Sequence, residues 1–489
     1  MTVIMERTED DYLAEVVRSA AWDATIAPIT PGDVERMEAS AATIAKHLAA
    51  EKPIYGLTQG FGPLVLYSAE SELEQGSSLI SHLGTAQGRP LDPEVSRLIL
   101  FLRLNSSRRG YSAVSPAFWQ NLADLWNAGF TPVIPRDGTV SASGDLQPLA
   151  AAALAYTGFG EAWQRDGDGW QRRPAREVLA SLGFAPFEWP VREALAFVNG
   201  TGASLAVSIL NQQSALRLVR AGAMLSGRLA ALLGANPEHY ADAHAHARGQ
   251  AGQLTAARWI RAELPPGHVR DERRALQEPY SLRCAPQVLG AVLDQLRMAG
   301  DVLAREARNC QDNPITFEGE VLHGGNFHAM PVGLASDQMG LAVHMAAYLA
   351  ERQLNLLLNP ATNGDLPMML TPRAGRGCGL AGVQISATSF VSRIRQLVYP
   401  ASLTTLPTNG WNQDHVPMAL NGANGVSDAL EFGWLIIGSL ALGMAQLAVM
   451  VGDEPEGIWA ELAEISPALD ADRPMAAEVR AARDLFDRV

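Results

Sequence analysis

Residues 138–149 read Gly-Thr-Val-Ser-Ala-Ser-Gly-Asp-Leu-Gln-Pro-Leu, with three small residues, Ala142, Ser143 and Gly144, at their centre. Glycine has no Cβ and tolerates unusual backbone angles, so the tripeptide can bend tightly enough for the Gly144 nitrogen to attack the Ala142 carbonyl. Loss of two waters would then close a five-membered ring and leave Ser143 as a conjugated methylene. Because Ala-Ser-Gly also occurs in ordinary loops, the flanking residues decide between a loop and an electrophile.

The residues that follow favour the electrophile. Asp145 opens an Asp-Leu-x-Pro-Leu run, and the whole stretch resembles that of the aromatic amino acid ammonia-lyases and 2,3-aminomutases, the histidine/phenylalanine/tyrosine ammonia-lyase superfamily. Members of this family make their prosthetic group, 4-methylideneimidazol-5-one (MIO), from their own chain. The resemblance implies that MIO forms from Ala142, Ser143 and Gly144, and it implies no metal.

Length and composition set the class of protein. The chain has 489 residues, of which 47% are hydrophobic, so it can bury a large core. Its 38 Lys and Arg against 52 Asp and Glu give a net charge of -14, which repels nucleic-acid phosphates. We expect no nucleic-acid partner, and we divide the chain into an N-terminal region, 1–200, and a helical region, 201–489.

Two features bear on localisation. The three cysteines are an odd number and lie far apart, and no secretory signal opens the sequence, so we expect a cytoplasmic protein. Residues 434–451 carry no charge and are long enough to cross a membrane. They contain glycine, serine and glutamine and lack a basic flank, which favours a buried helix in a helical assembly over a membrane span.

Residues 53–62, called the lid below, crowd three glycines behind one tyrosine. Glycine allows loop mobility and close approach of the backbone, as in a loop that closes over a ligand, although a plain surface loop has the same composition. The stretch is similar to the family's Tyr-Gly-x-x-x-Gly-Phe-Gly, which implies that Tyr55 is the catalytic base and that Gly62 lies at the substrate. Gln59 replaces the usual threonine.

His82 and Leu83 follow in a helix-compatible run from Leu73 to Leu98. A single histidine on such a face is often an ordinary core residue. In the family this pair faces the substrate ring, and His-Leu is similar to the pair of tyrosine-selective members. The resemblance implies that His82 hydrogen-bonds a phenol.

Other polar matches concern the ring and the carboxylate. Asn199 matches the family asparagine that hydrogen-bonds MIO, although it could equally cap the helix that we predict up to Leu233. Asn313, in an Asp-Asn-Pro break, inherits a role in carboxylate binding. Residues 277–288 are similar to Gln-Asp-x-Tyr-Ser-Leu-Arg-x-x-Pro-Gln, which implies that Tyr280 lies near MIO and that Arg283 binds the substrate carboxylate, for which a guanidinium fork is suited.

Two further motifs complete the site. Phe327 lies in a Gly-Gly-Asn-Phe motif and is expected in the aromatic wall, with His328 beside it. Residues 408–416 resemble the family's Asn-x-x-Asn-Gln-Asp-x-Val, which adds Asn409 and Gln413 to the substrate site. Three residues depart from the family pattern and could reshape the pocket: Arg308, Trp411 and Pro417.

Residues 242–246 read Asp-Ala-His-Ala-His and raise the question of a metal. Alternation would put the three polar side chains on one side of an extended strand, but no ligand cluster follows at a zinc-like spacing. We predict a solvated loop without metal.

The fold class expected is mainly α, with a long central helical bundle and a mixed N-terminal region that carries the MIO loop. The resemblance implies a homotetramer whose active sites are shared between chains. It also implies a lyase that acts on a small aromatic L-amino acid, with L-tyrosine giving 4-coumarate.

Three alternatives stay open. An aromatic 2,3-aminomutase shares every residue above and returns ammonia to the β-carbon. A histidine ammonia-lyase carries glutamate where this chain has Gln413. A non-catalytic relative would not need Tyr55, Arg283 and the Ala-Ser-Gly tripeptide together.

Overall fold

The structure is a computed structural model and describes residues 9–67, 72–167 and 169–489. The protein is mainly helical, which confirms the predicted fold class, and its strands are few and short. Nineteen helices lie in the described ranges: α1 (Glu9–Ser19), α2 (Pro31–Ala49), α3 (Glu72–Leu83), α4 (Pro93–Ser107), α5 (Pro116–Asn127), α6 (Leu146–Tyr156), α7 (Ala175–Ser181), α8 (Val191–Val198), α9 (Gly202–Leu233), α10 (Asp242–Arg248), α11 (Ala251–Ala262), α12 (Tyr280–Arg283), α13 (Ala285–Arg308), α14 (Met330–Leu358), α15 (Pro360–Asn363), α16 (Ala381–Leu397), α17 (Ala419–Val451), α18 (Ile458–Ile465) and α19 (Ala476–Phe486).

In the part of the chain that the structure describes, the strands form three small antiparallel sheets. They are β1 (Gln87–Pro90), β2 (Thr131–Pro132), β3 (Pro135–Asp137), β4 (Glu161–Asp166), β5 (Gly169–Pro174), β6 (Ile315–Phe317) and β7 (Glu320–Leu322). Strand β1 pairs with β3, the order of the second sheet is β2-β4-β5, and β6 pairs with β7. The polar stretch after α6 is thus a hairpin, β4-β5.

The chain divides into two compact units. The first consists of Gly300–Asp337, Pro400–Asn424 and the described part of Met1–Leu210, and the second of Asn211–Ala299, Gln338–Tyr399 and Gly425–Val489. Each unit is built from three separate segments. The division at residue 200 stays a prediction.

An aromatic cluster in the first unit fixes the helices that carry the site. Tyr156 at the end of α6 lies against Trp189, with ring centroids 6.1 Å apart, and Trp189 lies 4.9 Å from Phe197 in α8. Both α6 and α8 also pack on α3. As a result, the loop before α6, the residue after α8 and His82 in α3 belong to one packed group.

Two expectations about local structure are corrected. The run from Leu73 to Leu98 is not one helix, because β1 interrupts it between α3 and α4. Residues 242–246 are not a loop but begin α10. Alanine is a strong helix former, and Gly249 ends this helix in a left-handed conformation with φ 73°.

Helix α17 contains the apolar segment 434–451. It is long and apolar enough to cross a membrane, but most of its apolar stretch is buried inside the protein. A core helix of a large helical protein shows the same property, which favours the buried-helix interpretation.

Candidate active site

A cavity of about 920 Å³ opens in the first unit. It brings together every predicted site residue except Tyr280 and Arg283. These lining residues are Tyr55, Gly62, His82, Leu83, Ala142, Ser143, Gly144, Asn199, Asn313, Phe327, Asn409 and Gln413.

Gly144 lies where no other residue fits. Its φ is 67°, and a Cβ built on it would lie 2.1 Å from the carbonyl oxygen of Gly200. Bridge pairings join Gly144 to Ala142 and to Gly200, so the tripeptide doubles back on itself against the segment after α8. This close approach of two backbones requires the glycine.

Asp145 ties this loop to the helices on either side. Its Oδ1 accepts a 2.7 Å hydrogen bond from the Ser141 hydroxyl, and its Oδ2 accepts one of 2.6 Å from the Ser204 amide at the start of α9. Ser141 Oγ in turn accepts from the Leu420 amide of α17. Burial raises the pKa of Asp145, and these donors act against that rise.

The Ser143 hydroxyl points at the loop from 408 to 415. Gln413 Nε2 donates to Ser143 Oγ over 3.1 Å. The Gln413 backbone is held in turn by Thr408, since the two residues exchange amide-to-carbonyl hydrogen bonds of 3.0 and 3.3 Å. A predicted substrate-site residue therefore contacts the predicted methylene position.

A buried ion pair lies beneath the two asparagines. Arg192 Nη2 donates to the carboxylate of Asp312, and both side chains are almost fully buried. Asp312 Oδ1 accepts from the side-chain amide of Asn199 at 3.0 Å and from the Asn313 backbone at 2.7 Å. Asn313 Oδ1 accepts from the Gly324 amide at 2.7 Å.

This geometry decides one alternative for Asn199. The residue follows α8 and precedes α9, and its Nδ2 donates to Asp312 and to the Asn313 carbonyl. It does not begin α9, which starts at Gly202. Asn199 therefore lines the cavity and is not the N-cap of α9, while its backbone amide ends α8 by donating to the Leu195 carbonyl.

Sequence reasoning missed the two arginines behind this wall. Arg192 pairs with Asp312, and Arg103 Nε donates to the Phe197 carbonyl over 3.1 Å at the end of α8. The charged partner of Arg192 is 120 positions away in the chain. No local pattern marks such a pair, although Asp312 itself stands in the quoted Asp-Asn-Pro motif.

Tyr55 lines the cavity from the lid. Its hydroxyl oxygen accepts a 2.9 Å hydrogen bond from the Gly62 amide. Burial raises the pKa of Tyr55, and the Gly62 donor lowers it by less. A base at this position needs a depressed pKa near neutral pH, so the surroundings within this chain act in the opposite direction.

The lid is closely packed around its glycines. Gly56 has φ 75°, and a Cβ there would lie 2.7 Å from Leu195 of α8. A Cβ on Gly60 would lie 2.6 Å from the Leu64 carbonyl. Glycine is required here for packing and not for mobility alone.

His82 stands at the end of α3 with its ring exposed to the cavity. Its Nδ1 lies 2.9 Å from the Ser78 carbonyl oxygen. A carbonyl oxygen only accepts, so Nδ1 carries the proton and Nε2 of the neutral ring keeps a lone pair. Leu83 is buried beside it.

Phe327 and Asn409 lie on the remaining sides. Phe327 is half-buried, and the ring of the next residue, His328, bonds through Nε2 to the His415 carbonyl oxygen at 3.1 Å. Asn409 is exposed and has φ 50°. The aromatic wall and the loop from 408 to 415 are thus joined by a histidine.

Tyr280 and Arg283 lie in the second unit, in the short helix α12. The Arg283 guanidinium lies over the Tyr280 ring at 4.8 Å, and Arg283 Nε donates to the Glu278 carbonyl. Tyr280 is 72% exposed. Neither residue is among the described residues that line the cavity.

The three departures from the family pattern are also placed. Arg308 lies with its guanidinium 3.8 Å from the centre of the Tyr12 ring and is not a described lining residue of the cavity. Trp411 is 76% exposed and is not a lining residue either, and Pro417 is buried. The structure therefore gives Arg308 a packing contact on α1.

Within the described ranges, no group of three or more His, Cys, Asp or Glu side chains is arranged to hold a metal ion. In α10, Asp242 pairs with Arg261 at 2.6 Å, and His244 bonds the Glu238 carbonyl oxygen. Asp242 and His244 therefore have protein partners.

Comparisons with known proteins identify the family of this chain. A family model described as aromatic amino acid lyase matches residues 12–466. The solved tyrosine aminomutase of Streptomyces globisporus is 30% identical, with a TM-score of 0.89, and the match covers 97% of this chain and 95% of that one. Pantoea agglomerans phenylalanine aminomutase is 26% identical, with a TM-score of 0.89 and coverages of 97% and 98%. Histidine ammonia-lyase from Trypanosoma cruzi is 27% identical, with a TM-score of 0.87 and coverages of 97% and 91%. The predicted resemblance is confirmed: the chain belongs to the aromatic amino acid lyase family of carbon–nitrogen lyases, which includes the MIO-dependent ammonia-lyases and aminomutases.

Proposed function

We propose that the protein eliminates ammonia from L-tyrosine and releases trans-4-coumarate, with Tyr55 as base and MIO formed from Ala142, Ser143 and Gly144. The observation that carries this proposal is the close approach of Gly144 to Gly200. The tripeptide Ala142–Gly144 folds back on itself, as ring closure requires, and a Cβ on Gly144 would collide with the Gly200 backbone. The tripeptide also lines the cavity together with Tyr55.

The residues present fit the prosthetic group. Cyclisation joins the Gly144 nitrogen to the Ala142 carbonyl carbon and releases one water, and loss of the Ser143 hydroxyl with its α-hydrogen releases a second. Gln413 Nε2 donates to that hydroxyl, which favours its departure. When formed, MIO supplies an electrophile that makes the substrate amino group a better leaving group.

Tyr55 takes the proton from the substrate β-carbon. The Gly62 amide that donates to its oxygen stabilises the phenolate, because a donor to the charged form favours that form. Burial has the opposite effect on the pKa, so the base is strong once deprotonated but scarce at neutral pH.

Asn199 and Asn313 assist MIO and the substrate carboxylate in this proposal. Both amide protons of Asn199 are already used, by Asp312 and by the Asn313 carbonyl. Donation from Asn199 to the MIO carbonyl requires one of these bonds to be exchanged. The side-chain Oδ1 of Asn313 accepts from the Gly324 amide, and the side-chain nitrogen of Asn313 is the donor for the substrate carboxylate.

His82 reads the substrate ring. Its Nε2 lone pair accepts from a para-hydroxyl, because Ser78 holds the proton on Nδ1. L-Phenylalanine offers no donor and leaves this nitrogen without a partner in a closed site. The preference for L-tyrosine rests on this contact, with Leu83, Phe327 and Asn409 shaping the rest of the ring pocket.

Tyr280 and Arg283 enter the site of a neighbouring chain in a homotetramer, where Arg283 binds the substrate carboxylate. In support of this, Tyr280 is largely exposed and the Arg283 guanidinium lies over its ring, which is compatible with contact to another chain. Large apolar side chains are also exposed on α14 and α16: Leu334, Leu341, Met345 and Ile385. A cytoplasmic location agrees with three free cysteines.

An aromatic 2,3-aminomutase is the second candidate. The likeness to two aminomutases, one for tyrosine and one for phenylalanine, favours it. The same residues serve both reactions, and the difference lies in how long the closed lid retains ammonia and the acrylate.

The test combines mass and product. The intact purified chain should weigh two waters less than its sequence, and Ser143→Ala should abolish that loss together with turnover. The protein is then mixed separately with L-tyrosine, L-phenylalanine and L-histidine, absorbance is followed, and products are identified. A full translated mass would overturn the MIO assignment, a β-amino acid product would select the aminomutase, and urocanate would select the histidine lyase.

A further inference from the structure

One hydrogen bond connects the lid to the segment that follows strand β7. The backbone amide of Tyr55 donates to Nε2 of His323 over 3.2 Å, across 268 positions of the chain. His323 directly follows β7 and precedes Gly324, whose amide donates to Asn313 Oδ1. The histidine therefore bonds the residue that carries the base and is covalently joined to one that anchors the wall.

The other hydrogen bonds recorded for the described part of the lid are local. Ile54 exchanges bonds with Thr58, since its amide donates to Thr58 Oγ1 at 2.8 Å and its carbonyl accepts from the Thr58 amide at 3.0 Å. The Gly62 amide donates to the Tyr55 hydroxyl, and the Gly60 amide donates to the Tyr67 carbonyl. These bonds shape the loop but do not attach it to the β6-β7 hairpin.

The acceptor role depends on protonation. Nε2 accepts the Tyr55 amide only while the ring is neutral, because an imidazolium carries a proton on both nitrogens. Burial lowers the pKa of His323 below its ordinary value of 6.5, and the nearby His47 lowers it further. The titratable group that acts on His323 is His47, whose Nε2 bonds the carboxylate of Glu320, in the neighbouring strand β7, at 3.3 Å.

We propose that His323 is a positioning residue that fastens the lid through the Tyr55 amide and so keeps the base at the cavity wall. This inference rests on the proposed function for its catalytic consequence. The fastening itself is a property of the free protein and is measurable without substrate.

The sign of the pH dependence follows from the acceptor role. Fastening is complete above about pH 6.5, where His323 is neutral whether or not the lid is attached. Below that value the detached lid gains a proton on His323 that the attached lid resists, and fastening is lost as the pH falls through the lowered pKa.

The experiment is hydrogen exchange of residues 53–62 in the complete chain without substrate, read as protection relative to the unstructured peptide. Three proteins are compared at pH 7.5 and 5.5: wild type, His323→Leu and His323→Gln. The Gln carbonyl oxygen can accept the Tyr55 amide but does not titrate, so this variant is the matched control. Thermal unfolding of each protein monitors the fold.

We expect wild-type protection of the lid to fall about threefold to tenfold between pH 7.5 and 5.5, the range that one hydrogen bond supports. His323→Leu should show the low protection at both values, and His323→Gln the high protection at both. kcat should follow lid protection more closely than KM, because Tyr55 acts in the chemical step.

Equal protection in wild type and His323→Leu at pH 7.5, or wild-type protection that does not change between pH 7.5 and 5.5, would overturn the proposal. If His323→Leu does not fold, the wild-type and His323→Gln pH series still decide. Failure of the proposed function has a different signature, since wild type would then release no ammonia from the three amino acids whatever the exchange data show.

Discussion

Two regions of the cavity are held in different ways: the wall, which comprises Gly144, Asp145 and Gly200 behind Ser143, and the rim at the cavity mouth. In the wall, backbone lies against backbone between Gly144 and Gly200, and a buried carboxylate, Asp145, collects donors from two segments. In the rim, which comprises residues 54–67 and 408–415, side chains such as Trp411 are exposed and several residues have positive φ. The wall is held by buried backbone contacts, whereas the rim is held by hydrogen bonds within its own two loops and by the buried side chain of Ile54.

This difference suits the two tasks in the proposed function. Forming a ring from three residues would need atoms brought close together before any substrate arrives, and tight packing supplies that. Admitting a substrate and then placing a base would need a segment that can open, which an exposed loop does at lower cost than a buried wall. Substitutions in the wall should therefore abolish the site, and those in the rim should tune it.

The largest effect is expected from Gly144→Ala. The added Cβ would lie 2.1 Å from the Gly200 carbonyl oxygen, so we expect the two-water loss and turnover to disappear. Gly160→Ala is the matched control, since Gly160 also has positive φ, 81°, but nothing within 4 Å of a Cβ. It should cost only about 1–2 kcal/mol of stability from the left-handed backbone. Intact mass, ammonia release and urea unfolding measure the difference, and a Gly144→Ala protein that matures normally would contradict the wall's description.

Tyr55→Phe should lower kcat by about 10² to 10⁴, the usual range for loss of a general base, while the two-water loss remains. Because the pKa of Tyr55 is raised above its ordinary value of 10.0, the phenolate fraction and kcat/KM should rise about tenfold per pH unit through the neutral range. Tyr67→Phe, an exposed tyrosine of the same segment, should leave kcat unchanged. A flat pH profile between 7 and 9 would point to another base, with Tyr280 next.

Asp312→Asn probes the buried ion pair under the wall. It leaves the Arg192 charge buried without a carboxylate, which costs about 3–5 kcal/mol in the free energy of unfolding. Glu161→Gln removes a carboxylate from the exposed pair with Arg172 and should cost at most about 1 kcal/mol. Denaturant unfolding of the two variants should separate by at least about 2 kcal/mol, and equal midpoints would show that Arg192 does not depend on Asp312.

The sequence could predict the residues that stand in short continuous motifs, in the wall and in the rim alike. The loop around Ser143, the lid and the residues near Asn313 are short continuous motifs, and the structure brings them to one cavity. Arg192 was missed because its partner is remote and nothing near it in the chain reports the pair. The break of the run from Leu73 to Leu98 was also missed. Gly88 marked it, since its φ is 92° where β1 pairs with β3.

Other residues could not be placed from one chain's sequence. Tyr280 and Arg283 match the family motif, yet they lie in the second unit and outside the described cavity lining. A motif identifies residues of suitable chemistry without showing where in the fold they lie. Arg308 shows the reverse, because its position next to a motif suggested a role in the pocket, while its guanidinium stacks on Tyr12.

The smallest and most specific effect concerns His82, which belongs to a helix but faces the cavity. His82→Phe removes the Nε2 acceptor and replaces it with an apolar edge, so a tyrosine hydroxyl loses its partner. An unpaired buried hydroxyl costs about 1–3 kcal/mol, or one to two powers of ten in discrimination. We expect wild type to prefer L-tyrosine over L-phenylalanine and His82→Phe to reverse that order. The ratio of kcat/KM for the two amino acids measures it. His82→Gln retains an acceptor oxygen on the same helix and should preserve part of the preference, whereas the same ratio in all three proteins would show that another residue reads the ring.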